Sequence, residues 1–366
     1  MQPATVIGQS KWDLDTPALV LDLNIAERNI ATMATVFKDS PIKLRPHAKT
    51  HKSPHLALMQ IAAGAIGITV AKLGEAEVMA AAGVDNLLIS SEIVGPAKVA
   101  RLIGLARQCN VLTVVDDLGA ARIIADAAES AGVRIPALID LDTGHHRTGI
   151  AAGPAAVDLA KEVARLRGVN LIGLQGYEGH LQHIEGLEER TNGEAESVGM
   201  LLEMRSKLEQ AGIGISIVST GGTGTHQILA EHAGVTEIQA GSYVVMDTHY
   251  ATIEGVRFEH ALTCMTTVLS KTKPNRCIID AGHKTLSLDS GPSAPKDLPG
   301  AQYIAAGDEH GVLEYADGNC PLKVGDRVEM IPRHCDPTIN LHDWYHVTRG
   351  DTVVALWPVA ARGRVQ

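Results

Sequence analysis

Eight short apolar runs alternate with alanine-rich segments between about residue 40 and residue 250. The runs are rich in β-branched residues and lie at residues 42–45, 66–70, 86–91, 111–116, 135–142, 171–177, 215–220 and 235–240. In the intervening segments, apolar residues recur at three- and four-residue spacing, which is typical of amphipathic helices. Strands that alternate with helices form a parallel sheet covered on both faces, and eight such units close a barrel. The pattern therefore predicts an α/β fold, a (β/α)8 TIM barrel. An open doubly wound sheet is the alternative, but its two phosphate-binding fingerprints are absent.

The pattern changes after about residue 255. Short strand-like runs separated by Gly, Pro, Asn and Asp predict an all-β domain without a helix. These runs lie at residues 261–271, 276–280, 312–315, 327–331 and 352–357. A further strand at residues 18–22 and a helix at residues 24–37 precede the barrel. We predict a barrel domain at residues 24–255 and a β domain at residues 256–366, to which residues 1–23 also belong.

Composition excludes several classes of partner. The chain has 366 residues, a formal net charge of −10 and an aromatic content of only 3%. Such a chain has no general attraction to nucleic acid or to anionic membranes, and few rings on which bases could stack. No run of 18 uninterrupted apolar residues and no secretory signal is visible. The five cysteines are odd in number and never spaced as C-x-x-C, which fits a reducing cytoplasm. We expect a cytoplasmic protein with a small-molecule substrate.

A basic cluster follows the first predicted barrel strand, at residues 45–52. It contains Lys49 together with Arg45, Lys52 and two histidines. Reactive residues of a TIM barrel gather at the carboxyl ends of the strands. A lysine that forms a Schiff base must lose its proton, which cationic neighbours or burial promote. Taken alone, the cluster is more typical of a solvated basic loop or an anion-binding patch.

Further candidates follow the last three predicted barrel strands. An imidazole titrates near neutrality, so His180 or His183 is a candidate acid–base group, with a structural role as the alternative. Exposed backbone N–H groups and small hydroxyls after strands seven and eight form the usual phosphate site of barrels, although each turn alone could be an ordinary glycine-rich turn. The predicted phosphate-binding residues are Thr220, Gly221, Gly222, Gly241, Ser242 and Tyr243.

The predicted β domain carries a histidine and an aspartate two positions apart, His334 and Asp336. If this segment is extended, the two side chains point to one face and Cys335 points to the other. An imidazole and a carboxylate form a two-ligand half-site for a divalent cation, which leaves positions open for water or substrate. A hydrogen-bonded His–Asp pair without a metal is the commoner alternative.

The residues from Arg45 to Lys52, together with residues 15–20, resemble the D-threonine aldolase and D-serine dehydratase family of alanine-racemase-like enzymes. The likeness extends over nearly the whole chain. It implies that pyridoxal 5'-phosphate forms a Schiff base with Lys49, that Arg147 faces the pyridine nitrogen and that Tyr177 lies near the cofactor. A guanidinium keeps its proton, so the ring nitrogen would stay unprotonated and the ring would be a weaker electron sink.

The resemblance also implies a divalent metal bound by His334 and Asp336. Manganese is the first candidate for this metal, and magnesium, cobalt and zinc are alternatives. Aldolase members carry His-x-Asp at this place, whereas dehydratase members carry His-x-Cys with zinc, so this chain matches the aldolases. Asp308 is a further family-like position near the site. Members of this fold class are head-to-tail homodimers, so the resemblance implies a homodimer here.

The expected function is therefore metal-dependent cleavage of D-threonine and other β-hydroxy-D-amino acids to glycine and an aldehyde. The first alternative is a dehydratase of D-serine or 3-hydroxy-D-aspartate. The residue type at position 336 distinguishes this alternative from an aldolase. A non-catalytic carrier of pyridoxal phosphate is an alternative from another class, although such a carrier lacks the β domain. An amino-acid racemase would need no metal.

Overall fold

The computed structural model describes residues 6–230, 232–316 and 318–366. Residues 1–5, which the sequence assigns to the β domain, lie outside this part of the chain. The helices are α1 Leu23–Phe37, α2 Pro54–Ala62, α3 Leu73–Ala81, α4 Pro96–Ala106, α5 Leu118–Ser130, α6 Pro154–Ala164, α7 Leu187–Gln210, α8 His226–Leu229 and α9 Cys335–Ile339. None of the helices in the described ranges is long and apolar enough to cross a membrane.

The strands fall into two sheets. The first contains β2 Lys43–Leu44, β3 Ile68–Val70, β4 Asn86–Ile89, β5 Asn110–Val115, β6 Ile135–Asp142, β7 Ile150–Ala151, β8 Val169–Gln175, β9 Ile217–Thr220 and β10 Glu237–Ile238. The second contains β1 Ala18–Asp22, β11 Leu262–Lys273, β12 Arg276–Ile279, β13 Ala294–Pro295, β14 Ala301–Ala305, β15 Gly311–Tyr315, β16 Arg327–Ile331, β17 Trp344–Arg349 and β18 Thr352–Pro358.

The first sheet is the predicted parallel barrel. Its strand order is β2-β10-β9-β8-β6-β5-β4-β3, with β7 paired to β6. A parallel bridge between His47 and Thr69 joins the two ends of this order. The backbone N–H of Ala48 also donates to Thr69 O at 2.8 Å. Each of the eight apolar runs predicted from the sequence overlaps one of the strands in this order, so the predicted barrel is confirmed.

Apolar side chains from the strands and helices explain why the barrel closes. The strands contribute residues such as Ile68, Leu87 and Val169, and the surrounding helices contribute residues such as Leu102 and Ile124, all buried in one core. A smaller cluster that includes Leu88, Leu112, Val114 and Leu138 comes from residues of β4, β5 and β6. Burial on both faces accounts for the continuous apolar runs in the sequence.

The second sheet is built mainly from the C-terminal residues. Its strand order is β14-β15-β12-β11-β1-β17-β18, and β16 pairs with β11 and β13. The early strand β1 lies antiparallel to β11 and parallel to β17. The N-terminal strand therefore crosses into the C-terminal sheet before α1 leads into the barrel. The sequence did not predict β13, β14 and β17.

Two linked expectations for the β domain are wrong, because the domain contains a short helix, α9. Residues 334–336 do not form an extended segment, because α9 begins at Cys335 and His334 is its extended N-cap residue. A buried carboxylate starts this helix: Asp247 Oδ2 accepts the backbone N–H of Cys335 at 3.1 Å. The thiol of Cys335 donates to the backbone carbonyl of Met246 at 3.1 Å. The side chain of Cys335 is therefore buried, and its direction is set by the start of a helix rather than by the alternation of an extended strand.

Candidate active site

A cavity of about 380 Å³ lies at the carboxyl ends of the barrel strands. Most of its lining residues follow the ends of different strands, as in other TIM barrels. They include the predicted residues Lys49, Arg147, Tyr177, Gly221, Gly222, Gly241 and Ser242. The lining also includes His47, Thr50, Ser90, Glu92, Thr223 and Tyr250, which were not assigned from the sequence.

Lys49 lies in this cavity and meets the β domain. Its Nζ is 3.2 Å from Asp336 Oδ2, and its side chain is 43% exposed against 14% for that of Asp336. The carboxylate of Asp336 raises the pKa of Lys49 to about 12. Burial tends to raise the pKa of Asp336, but the charges of Lys49 and His334 outweigh burial and lower this pKa to about 2. Each group therefore holds the other in its charged form.

Two of the expected cationic neighbours of Lys49, Arg45 and Lys52, are paired with carboxylates. Arg45 forms a buried ion pair with Glu237, in which Nε lies 3.0 Å from Oε1. Lys52 pairs with Glu75, Nζ to Oε1 at 2.6 Å. A sequence shows which charges are near one another along the chain, but it does not show which carboxylates the fold will place beside them. The pKa of Lys49 is raised rather than lowered as expected, because the carboxylate of Asp336 outweighs burial and the charge of Arg147.

Arg147 and Tyr177 face each other across one wall of the cavity. The guanidinium carbon of Arg147 is 5.4 Å from the ring centroid of Tyr177. Beneath them, Gln175 donates to Asp140 Oδ1 at 2.8 Å and accepts from Gln239 at 3.0 Å. Burial, reinforced by nearby Glu92, raises the pKa of Asp140 to about 7. The wall near Arg147 is thus supported by a buried polar network.

The glycine-rich turn after β9 is organised by a buried carboxylate. Glu178 accepts hydrogen bonds from the hydroxyls of Thr220 and Thr225 and from the backbone N–H of Gly221. Gly221 has φ of +82°, and a Cβ at this residue would lie 2.5 Å from Leu229 Cδ1. A side chain would therefore be both strained and obstructed at Gly221.

The free donors differ from those expected for the phosphate site. The backbone N–H groups of Gly221 and Gly222 are occupied, the first by Glu178 and the second by Thr225 Oγ1 at 3.1 Å. Within the described ranges, no protein acceptor receives the backbone N–H of Thr223, Gly241 or Ser242. The hydroxyls of Ser242 and Thr50 are 3.5 Å apart at the same place. Any anion bound here would meet these groups rather than the amides of Gly221 and Gly222.

Two predicted cofactor residues do not line the cavity. The hydroxyl of Thr220 is turned toward Glu178. The side chain of Tyr243 lines a second cavity on the other side of the backbone, where its hydroxyl accepts from Gln60 at 2.8 Å. The backbone N–H of Tyr243 donates to Thr223 Oγ1 at 3.2 Å, so its backbone helps to hold the glycine-rich turn after β9.

The two candidate histidines occupy different surroundings. His180 is exposed, and its ring centroid is 6.2 Å from that of His145. His183 is stacked on His249 with centroids 3.6 Å apart, and its centroid is 4.6 Å from that of Tyr250, which lines the cavity. Burial, helped by the charges of His249 and His334, lowers the pKa of His183 to about 4. His183 is therefore neutral near pH 7.

His334 and Asp336 face each other at the edge of the cavity. Their closest pair of atoms, Nε2 and Oδ1, is 3.9 Å apart. Asp336 Oδ1 is buried and has no hydrogen-bond partner within the described ranges. On the other side of the imidazole, Nδ1 of His334 lies 2.6 Å from Asp289 Oδ2. Among residues 6–230, 232–316 and 318–366, no cluster of three or more His, Cys, Asp or Glu side chains could hold a metal. The arrangement is a two-ligand half-site, and the orphaned carboxylate oxygen fits a cation.

Three functional neighbours were missed because no local pattern indicates them. Asp247, Glu178 and Asp289 lie far along the chain from the groups that they hold, and single acidic residues are common in any sequence. Asp308, expected near the site, is exposed and lies 3.7 Å from Lys284 Nζ.

Comparison with known families agrees with this geometry. The family described as "Alanine racemase, N-terminal domain" matches residues 21–249, and a "Putative serine dehydratase domain" matches residues 261–348. The chain is 39% identical to the D-threonine aldolase of Arthrobacter sp. over 99% of this chain and 97% of that protein. It is 36% identical to a 3-hydroxy-D-aspartate aldolase of Paracoccus denitrificans, with 98% and 94% covered.

A solved structure gives the same result. The crystal structure of D-threonine aldolase from Filomicrobium marinum superposes with a TM-score of 0.94 at 38% identity, covering 98% of this chain and 99% of that one. Fold and site together define an alanine-racemase-like barrel followed by a mostly β domain. Within that class, the chain belongs to the D-threonine aldolase and D-serine dehydratase family.

Proposed function

We propose that this protein is a pyridoxal-phosphate- and metal-dependent lyase that cleaves D-threonine and other β-hydroxy-D-amino acids to glycine and an aldehyde. One observation carries the proposal. The barrel lysine, Lys49, lines the cavity and is 3.2 Å from Asp336 of the His334–Asp336 half-site, so the proposed metal residues adjoin the proposed cofactor residues. Membership of a family whose full-length relatives include such aldolases supports the same activity.

Each residue has a proposed part in binding. Lys49 anchors the cofactor, and Arg147 and Tyr177 border its ring. The backbone N–H groups of Thr223, Gly241 and Ser242 are the donors for its phosphate. His334 and Asp336 hold the divalent metal, with manganese as the first candidate and magnesium, cobalt or zinc as alternatives. An imidazole and a carboxylate suit all four ions.

The bound cofactor supplies an electron sink conjugated to the substrate Cα, and the metal supplies a positive charge beside the β-hydroxyl oxygen. His183 is the proposed base, because its neutral imidazole can accept the hydroxyl proton while the Cα–Cβ bond breaks. The aldehyde leaves with the β-oxygen, and a proton is returned to Cα to complete glycine. The two products contain all atoms of the substrate, so the cleavage consumes no water.

A dehydratase of D-serine or 3-hydroxy-D-aspartate is the second candidate, since the C-terminal family match carries a serine dehydratase description. That reaction expels the β-hydroxyl and yields a 2-oxo acid and ammonia. A non-catalytic cofactor carrier and a racemase would both leave the His334–Asp336 pair without a purpose.

The experiment is product analysis. The protein, loaded with pyridoxal phosphate and Mn²⁺, is incubated with matched D- and L-isomers of threonine, phenylserine and 3-hydroxyaspartate. Glycine and aldehyde formed only from the D-isomers are the expected result. 2-Oxobutanoate, phenylpyruvate or oxaloacetate with ammonia identifies a dehydratase, and conversion of a substrate to its Cα epimer without cleavage identifies a racemase.

We also propose a cytoplasmic homodimer, in which His334 and Asp336 serve either the Lys49 of their own chain or that of the partner. A Lys49→Ala chain mixed with an Asp336→Ala chain tests this. Recovery of activity in purified heterodimers indicates a shared site, whereas none indicates sites built within single chains, as the 3.2 Å Lys49–Asp336 distance favours.

A further inference from the structure

We propose that Asp289 is a positioning residue for the metal: it holds the imidazole of His334 so that Nε2 faces the same space as the Asp336 carboxylate. This inference rests on the proposed function, since it assumes a metal at His334 and Asp336. Asp289 itself is not a ligand in this proposal. It acts only through His334.

The contacts around His334 give the imidazole one orientation. Nδ1 lies 2.6 Å from Asp289 Oδ2, which places the proton on Nδ1 and the lone pair on Nε2. Nε2 then points toward Asp336, 3.9 Å from Oδ1. Asp336 Oδ1 is buried without a hydrogen-bond partner in the described ranges, so this oxygen and Nε2 are placed to bind one cation.

Asp289 is itself held in place. Its Oδ1 accepts from the Ser287 hydroxyl at 2.8 Å, and its Oδ2 accepts from the Ser290 hydroxyl at 2.9 Å. The Ser290 hydroxyl also lies 3.5 Å from His334 Nδ1. Carboxylates that orient metal-binding histidines in this way fix the tautomer and the ring angle before the metal arrives. The side chain of Asp289 is 44% exposed, so solvent screens its charge and the hydrogen bond carries most of its effect.

The test is Mn²⁺ binding by the cofactor-loaded protein after removal of metal with a chelator. Free Mn²⁺ is measured by electron paramagnetic resonance during titration at fixed pH and ionic strength. Asp289→Ala should raise the Kd about 10- to 100-fold, the range found when partners of metal-binding residues are removed. Asp289→Asn keeps an oxygen that can accept from Nδ1, so its Kd should lie between those of Asp289→Ala and the wild type. The visible absorbance of the cofactor should not change in either variant.

Asp297→Asn is the matched control, because it removes one carboxylate charge from an exposed residue just after β13, whereas Asp289 lies just before this strand. Its Kd should equal that of the wild type. An unchanged Kd in Asp289→Ala, or an equal loss in Asp297→Asn, overturns this inference while leaving the metal site intact. Failure of the wild type to bind Mn²⁺, or binding that survives His334→Ala and Asp336→Ala together, instead refutes the proposed metal site. If Asp289→Ala misfolds by circular dichroism, Asp289→Asn decides.

Discussion

The two halves of the candidate site are held in place in different ways. Lys49 follows a barrel strand, and its neighbours His47 and Ala48 donate backbone hydrogen bonds to Ala240 on one side and Thr69 on the other. The His334–Asp336 segment is preceded by backbone hydrogen bonds from Thr248 and His249 to the carbonyls of Pro332 and Arg333. Its helix start is fixed by the buried carboxylate of Asp247 and by a thiol hydrogen bond from Cys335.

This difference indicates which residues of the site can be substituted without loss of the fold. The Lys49 segment is held by backbone groups that every residue type possesses, so its path tolerates side-chain substitutions better than the turn that Glu178 and Gly221 organise. The start of α9 depends on the side chain of Asp247, so a single substitution there can displace His334 and Asp336. Variants in the two halves should therefore separate cofactor binding from metal-dependent chemistry.

The largest effect is expected at Lys49. Lys49→Ala removes the proposed cofactor anchor and should lower kcat/KM for D-threonine by at least about 1,000-fold, as loss of a covalent catalytic group does. Peptide mapping of the borohydride-reduced wild-type protein checks the assignment. A pyridoxyl group on Lys49 is expected. An adduct on Lys72, which also lines the cavity, or on Lys52, which is paired with Glu75, would falsify it.

Asp336→Ala should leave the barrel half intact while disabling the other half. We expect kcat to fall about 100- to 1,000-fold, comparable with removing a group that stabilises developing charge. The cofactor absorbance should persist, and chelation of the wild type should reproduce the loss, with Mn²⁺ reversing it.

Cys335→Ser is the control for this variant, since a serine hydroxyl can donate to Met246 O in place of the thiol. It should retain activity within a few fold. Activity lost in Cys335→Ser but retained in Asp336→Ala would make the thiol the ligand and point to a dehydratase.

His183→Gln should lower kcat about 100-fold, the lower end of what a positioned acid–base group contributes. His180→Gln, which changes an exposed histidine outside the cavity, should have little effect. Because burial lowers the pKa of His183 to about 4, the imidazole stays neutral until the pH falls toward this value. The acid limb of the kcat/KM profile should therefore lie well below pH 6. An acid limb near 6.5, or a larger loss in His180→Gln, contradicts the assignment.

The smallest effect on stability and activity is expected at a contact between the β domain and the barrel loop that carries Lys49. The hydroxyl of buried Tyr345 donates to the backbone carbonyl of His51 at 2.6 Å, two residues from Lys49. Tyr345→Phe should lower the free energy of unfolding by about 0.5–1.5 kcal/mol, measured by urea denaturation.

Tyr303→Phe removes a similar bond, to Ala281 O at 3.0 Å, within the β domain alone. It should cost a similar free energy without changing kcat/KM, whereas Tyr345→Phe should lower kcat/KM severalfold. Equal kcat/KM in both variants would show that this contact does not align the two halves.

The amino-acid sequence determined the barrel, because apolar periodicity and glycine positions act over a few residues and fix strands and helices locally. It also indicated Lys49, Arg147 and His334–Asp336, since these groups lie in contiguous motifs. Only the tertiary structure decided which charges meet. In the folded protein, Lys49 pairs with Asp336, and the side chain of Tyr243 points away from the cavity. The carboxylate of Glu178 accepts the backbone N–H of Gly221. The tertiary structure also replaced an extended 334–336 segment with a helix start on Asp247. Ion pairs and hydrogen bonds between distant residues depend on how whole elements pack, and residue spacing along the chain carries no record of those distances.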